Sequence, residues 1–270
     1  MSLAVCATPI GNLEDVTLRV LAELRDADVV LAEDTRRTHG LLVRHGISAK
    51  LVSYHEHNEA ARVAELLPRL EAGERVALVS DAGLPGISDP GARLVRAALD
   101  SGVEVTVLPG PSAVETALVA SGLAAGRYAF VGFLPRKAAE LGALWSELAA
   151  WPWPVVAFES PHRLAASLRS LAAYDSGREV AVCRELTKRF EEVVRGTAEE
   201  LATRFSAPPR GEVTLVVSAA SGSAVAGGAT EVALAAVAEL VAAGTPRRNA
   251  AEVVARLTDM SRNVLYRETL

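Results

Sequence analysis

Along roughly the first half of the chain, short apolar runs alternate with longer segments whose apolar positions recur every three to four residues. The runs at 3–7, 29–32, 51–54, 76–80 and 103–108 are continuously apolar or β-branched, as expected of strands covered on both faces. Between them, 18–24, 38–45, 59–70 and 92–99 carry the pattern of amphipathic helices, and 112–122 forms a further helix after the fifth run. Strand and helix in alternation predict a parallel sheet with helices on both sides.

Helix starts are punctuated. Asp89 precedes Pro90 as a predicted cap, Ser112 and Glu115 have the spacing of a capping box, and Ser160 precedes Pro161. The texture changes near 123–127. Beyond it, strands are expected at 128–134, 155–159, 179–184, 190–195 and 212–218, with helices at 137–149, 161–173 and 197–205. The close succession of 180–184 and 190–195 predicts an antiparallel hairpin, hence a mixed sheet. A Gly, Ser and Ala stretch at 221–228 reads as a linker, followed by helices at 231–243 and 249–258 and a basic tail. The expected organisation is an N-terminal α/β domain over 1–123, a C-terminal α/β domain over 124–222, and a linker with a small helical tail over 223–270.

Composition narrows the class. Half of the 270 residues are apolar and the net charge is −5, which argues against a protein that coats nucleic acid but leaves room for a local basic cleft. The two cysteines, Cys6 and Cys183, both sit in apolar runs, which suits buried thiols rather than a disulfide framework or a zinc site. No secretory leader is visible, and no uncharged apolar stretch approaches the ~18 residues of a membrane span, so a cytoplasmic protein without membrane association is expected.

The most restricted segment is Ser80-Asp81-Ala82-Gly83-Leu84-Pro85-Gly86-Ile87-Ser88-Asp89-Pro90-Gly91, between a buried strand and a helix. Ligands of open α/β sheets bind at strand carboxyl ends, and glycines let them approach the backbone. The segment lacks GxGxxG and GK[ST], so dinucleotide and phosphate-loop chemistry lose ground. Asp81 is placed to accept hydrogen bonds from a ribose or an amino group. Thr8-Pro9-Ile10-Gly11-Asn12 and Leu108-Pro109-Gly110-Pro111-Ser112-Ala113 occupy equivalent strand ends, so the three loops predict one crevice. Ala32-Glu33-Asp34-Thr35-Arg36-Arg37 is dense in charge, and a helix dipole accounts for its acids but not its arginines. His55 and His57 lack metal-ligand spacing, and no metal is expected.

Together these segments resemble the ribosomal RNA small-subunit methyltransferase I family of the tetrapyrrole methylase superfamily, which methylates a cytidine ribose 2′-hydroxyl. Further matching segments are Phe130 through Lys137, Phe158-Glu159-Ser160-Pro161-His162-Arg163, Cys183 through Lys188, and Arg210-Gly211-Glu212. The resemblance implies two α/β domains, a parallel and a mixed sheet, with S-adenosylmethionine between them, and a homodimer. It places the cofactor against Pro9, Ile10, Gly11, Asp81, Ala82, Gly83, Pro85, Ile87, Ser112, Ala113, Phe158, Arg184, Gly211, Glu212 and Val213. The implied partner is the small ribosomal subunit with its 16S RNA.

A ribose hydroxyl is a poor nucleophile until its proton leaves. Asp34, Glu159, Glu185 and Lys188 are the candidate catalytic groups, with His55 as a further acceptor. Arg36, Arg37, His55, Arg136, Lys137 and Arg189 are candidates for holding RNA. Two rival expectations remain: methylation of a tetrapyrrole-type small molecule, and a non-catalytic RNA-binding or assembly module.

Overall fold

The computed structural model describes residues 3–81, 83–220, 233–258 and 260–269, with the side chain of Asn263 outside that description. The first sheet is built from β1 (Leu3–Cys6), β2 (Val29–Ala32), β3 (Leu51–Ser53), β4 (Val76–Val79) and β5 (Val105–Leu108). Their order is β3-β2-β4-β1-β5, and every pairing is parallel. Helices α1 (Leu18–Asp26), α2 (Thr35–Arg44), α3 (Glu59–Glu71) and α4 (Ala92–Asp100) connect the strands. Val20, Leu24, Leu41 and Leu42 pack on one face with Cys6 and Val30, while Leu66, Leu70 and Leu94 pack on the other with Leu3 and Leu78. Coverage of both faces is the reason the strands read as unbroken apolar runs. The chain lays β2 and β3 on one side of β1 and reaches its other side only with β5. That reversal opens a crevice at the carboxyl ends of β1, β4 and β5.

After α5 (Ala113–Ser121), the second sheet comprises β6 (Ala129–Phe133), β7 (Val155–Glu159), β8 (Glu179–Arg184), β9 (Glu192–Thr197) and β10 (Val213–Val217), in the order β6-β7-β10-β8-β9. Only β6 and β7 run parallel; the other pairings are antiparallel, including the β8–β9 hairpin. Residues alternate cleanly. Val180 and Val182 enter the core beneath α6 (Ala138–Leu148), α7 (Pro161–Tyr174) and α8 (Ala198–Arg204), while Ala181 and Cys183 face the other way. There they meet Val114, Ala117 and Leu118 of α5, together with Ile10 and Leu186. Helix α5 therefore covers the second sheet, although in sequence it completes the first unit. A helix over 233–242 (α9), α10 (Arg247–Thr258) and α11 (Arg262–Glu268) gather around Val237, Ala251, Val254 and Leu265 as a small separate core. Among the described residues no helix is long and apolar enough to cross a membrane. The expected linker at 221–228 lies outside the described residues.

Several local expectations need correcting. Gly91, at φ 137, caps α4, so Asp89 is not the cap and Pro90 is not the first helical residue. Ser112 makes no cap bond to backbone, because its hydroxyl donates to the Glu115 carboxylate instead. A capping box does form at Thr197 and Glu200. Helix α2 begins at Thr35 rather than 38, since Asp34 accepts the Arg36 N–H at 2.9 Å. Strand β9 begins at Glu192 rather than 190, because the chain turns twice first: Lys188 N–H donates to the Glu185 carbonyl and Glu191 N–H to the Lys188 carbonyl.

Candidate active site

The three glycine-containing loops are tied together by backbone. Thr8 and Gly83 exchange N–H to carbonyl bonds of 2.8 and 3.0 Å, the Thr8 hydroxyl donates to the Ser80 carbonyl at 3.0 Å, and the Ser80 hydroxyl donates to the Gly83 carbonyl at 3.2 Å. A side chain at Gly110 would come within 2.9 Å of the Ala7 methyl, so the third loop sits directly on the first. A cavity of about 430 Å³ opens beside them, between the strand ends of the two sheets. Its first-sheet wall includes Glu33, Asp81, Gly83, Leu84, Ile87 and Asp89, and its second-sheet wall Phe133, Phe158, Gly211, Glu212 and Val213, with Ser112–Val114 between. A neighbouring cavity of about 270 Å³, lined by Pro9, Ile10, Gly11, Thr38 and Lys188, shares Arg37, Asp81 and Glu212 with it.

Asp81 accepts the Asp34 N–H at 2.9 Å and lies 3.5 Å from the Arg37 guanidinium. Two acidic neighbours have raised proton affinity. Burial, then the nearby Glu33 and Asp81 carboxylates, push Asp89 up to about 6, against a hydrogen bond to Ser80. Burial and Asp81 likewise raise Glu33, against the opposing charges of Arg37 and His55. Ser88, just before Asp89, has φ 63, an uncommon conformation for a residue with a side chain.

The β8–β9 turn closes the neighbouring cavity. Gly11 is required there: a Cβ would lie 2.5 Å from Lys188 Cγ, 2.7 Å from Thr187 Oγ1 and 2.8 Å from the Leu186 carbonyl. Thr187 Oγ1 accepts the Asn12 N–H at 3.0 Å, locking the two sheets' loops together. Gly211, at φ 90, packs against Glu185, where a Cβ would run into the carboxylate. Glu185 accepts from Lys188 at 2.9 Å and from the Glu212 N–H at 3.2 Å, and Lys188 also donates to Glu212 at 3.0 Å. The Lys188 hydrogen bond holds Glu185 below the usual carboxylate range. Burial works against the Lys188 charge, but its two carboxylate partners outweigh it and its pKa is raised.

The family of Tetrapyrrole (Corrin/Porphyrin) Methylases matches residues 2–202. A ribosomal RNA small subunit methyltransferase I from Streptococcus pyogenes serotype M1 is 41% identical over 276 residues, covering 99% of this chain and 94% of the relative. The protein of the same name from Mesorhizobium japonicum is 43% identical over 272 residues, covering 100% and 91%. The chain belongs to the ribosomal RNA small subunit methyltransferase I family of tetrapyrrole methylases. In fold it is similar to uroporphyrin-III-C-methyltransferase from Thermus thermophilus, with a TM-score of 0.59 at 23% identity over 82% of this chain and 95% of that one. A crystal structure of Thermus thermophilus uroporphyrin-III C-methyltransferase complexed with S-adenyl homocysteine gives 0.56 at 21%, over 79% and 96%.

The expected cofactor residues of this family member fall in three places. Asp81, Gly83, Ile87, Ser112, Ala113, Phe158 and Gly211–Val213 line the larger cavity, and Pro9, Ile10 and Gly11 the smaller. Arg184 lies in a third hollow with Phe190 and Arg210; Pro85 is buried, and Ala82 is outside the described residues. The nominated bases are not free. Asp34 is a helix cap clamped by Arg36 at 3.0 and 2.7 Å, which holds it well below the usual range. Glu159 is buried, accepting from Ser160 N–H at 2.6 Å, from Arg163 at 2.8 Å and from the Ser167 hydroxyl. Arg37 lines both cavities; Arg36 and Arg136 are exposed, Lys137 pairs with Glu140 at 2.8 Å, and Arg189 lies 5.5 Å over the Phe190 ring. His55 is half-buried with Nδ1 unpartnered. Glu33, Asp89 and Phe133 also line the cavity; each lies in a segment singled out from the sequence, but none was individually expected at the site, since Asp89 has the look of a cap and Phe133 that of an ordinary strand residue.

Proposed function

We propose that this protein transfers a methyl group from S-adenosylmethionine to a ribose 2′-hydroxyl, that of a cytidine, in 16S RNA of the small ribosomal subunit, and that it does so as a cytoplasmic homodimer. The observation that carries the reading is the near-complete match to ribosomal RNA small subunit methyltransferases I, in a chain whose strand-end loops line two adjoining cavities.

The residues suit the cofactor. The cavity volume is in the ordinary range for small-molecule sites, its walls mix apolar side chains with a few polar groups, and its charged groups are mainly acidic, as a cationic ligand requires. Asp81, the glycine-loop backbone and Phe158 would hold it. Bound there, it supplies a methyl group on a positively charged sulfur, so the protein's tasks are in-line positioning and removal of the hydroxyl proton. Of the nearby acids, Asp34, Glu159 and Glu185 are engaged by cations, and Lys188 stays charged. Asp89 faces the cavity and is pushed up to about 6, which makes it the proton acceptor of this proposal, with Glu33 raising its basicity. Arg37, at the junction of both cavities, is placed to receive a phosphate, alongside Arg36, Arg136 and Arg189 at the surface.

Radiolabelled methyl transfer to small subunits, naked ribosomal RNA and porphyrinogens, compared side by side, tests the substrate. Label in RNA is expected; label in porphyrinogen alone would replace this reading with the small-molecule one. Asp81→Ala is expected to weaken cofactor binding by about 1–3 kcal/mol by calorimetry. Asp89→Asn is expected to lower the transfer rate by about a hundredfold or more and to remove the rise in rate with pH near 6. A retained pH profile would exclude Asp89 as the acceptor.

A further inference from the structure

The mouth of the larger cavity carries an exposed aromatic ring that regular strand geometry would have buried. Strand β6 pairs with β7 in register at Ala129↔Val155 and Phe130↔Val156, then slips so that Phe133 stands opposite Phe158. The slip inserts one residue, at Gly132, whose φ of 68 lies in the left-handed region. Side chains alternate along a strand, so Phe133 would otherwise follow Ala129 and Val131 into the core beneath α6 and α7. The bulge sends Leu134 there instead, 2% exposed. Phe133 is left at the cavity, 62% exposed, with its ring centroid 5.5 Å from that of Phe158. Phe158 in turn stacks edge-on with Phe130 at 5.0 Å, so the exposed ring has a rigid aromatic base behind it. Ile87, from the first sheet, lines the same cavity and is 53% exposed.

We propose that Phe133 is a stacking platform for the base of the nucleotide being methylated, holding it out of its strand while the ribose enters the cavity. A π-face accepts any unpaired base, and the cation for the adjoining phosphate is at hand in the exposed Arg136, three residues on. A bulge that re-aims one side chain beside a ligand cavity is the kind of feature that positions substrate. Phe133 is thus a positioning residue, and the assignment rests on the ribosomal RNA reading above.

The test couples the ring to the base. Once the wild-type protein has located the methylated nucleotide, small subunits are reconstituted with either the normal base or an abasic ribose there. Phe133→Ala is expected to slow methylation of the normal RNA by about ten- to a hundredfold, in KM more than in kcat, with Phe133→Trp restoring most of it. On abasic RNA, wild type and Phe133→Ala are expected to be equally slow, with unchanged S-adenosylmethionine affinity by calorimetry. Equal losses on both RNAs, no loss on either, or a parallel loss of cofactor affinity would each overturn the platform while leaving the RNA reading intact. Absence of RNA methylation by the wild type would remove that reading, and the platform with it.

Discussion

The acids at the strand ends are held in two opposite ways. Asp34, Glu159 and Glu185 each have a cation in contact: Arg36, Arg163 and Lys188 respectively. Their hydrogen bonds fix a helix start, a strand-to-helix corner and the β8–β9 turn. Glu33 instead meets Asp81 and Asp89 of the 80–91 loop at the cavity, with Arg37 as the nearby cation, and burial and mutual repulsion raise Glu33 and Asp89. A carboxylate next to an arginine in sequence tends to be neutralised by it. An acid brought near other acids on folding keeps its proton affinity high, as an acceptor of protons requires.

The paired region should break first. Arg163→Ala strips the buried Glu159 of its cation and is expected to cost about 3–5 kcal/mol in urea denaturation. Combining Glu159→Gln with Arg163→Met should cost less than Arg163→Ala alone, because no charge is then stranded. A loss under about 1 kcal/mol for Arg163→Ala would mean that Glu159 is already satisfied without it.

Next in size is Gly11→Ala, which forces a methyl group against Thr187, Lys188 and the Leu186 carbonyl. A loss of about 1–3 kcal/mol is expected from overpacking, read by thermal unfolding. Wild-type stability would show that the turn gives way, and that the contact between the two sheets' loops is loose.

The cavity region should respond with the opposite sign. Asp89 titrates near 6 when folded, above the ordinary value of about 3.9, so folding favours its protonated form. The ionised carboxylate penalises the fold above that pH, and the penalty fades as pH falls through 6 toward 4. Asp89→Asn is therefore expected to be more stable than wild type by about 1–2 kcal/mol at alkaline pH, after allowance for solvent screening, and equal to it by about pH 4. Greater stability of the wild type at alkaline pH would reverse the electrostatic argument. The smallest effect concerns the thiols. Burial pushes Cys6 up to about 12 and Cys183 to about 11, so neither should react with a thiol reagent at neutral pH while the fold is intact. Stoichiometric labelling without unfolding would contradict that burial.

Much of the fold was legible. The unbroken runs Val29–Ala32 and Val76–Val79 are strands covered on both faces, and period and length carry that information locally. Caps were less legible, because Asp89 and Gly91 both suit the start of α4 and only the Gly91 backbone settles which one serves. The loops that wall the cavity were legible as restricted segments, since glycine and proline act on their own backbone. The reactive acids were not, because a pKa depends on burial and on neighbours brought from elsewhere in the chain: Asp89 answers first to its burial and then to Glu33, on another loop.

By itself, then, the sequence determined the alternation of strands and helices and the restricted loops at strand ends, which rest on residues close together in the chain, and the family, which rests on the order and spacing of those loops along it. Tertiary structure alone decided that α5 covers the second sheet, that Glu33 from another loop comes close enough to raise Asp89, and that a bulge at Gly132 turns Phe133 toward the cavity. Each of these depends on which surfaces meet after folding. Register, burial and charge proximity are properties of pairs of residues, and no single position in the chain carries them.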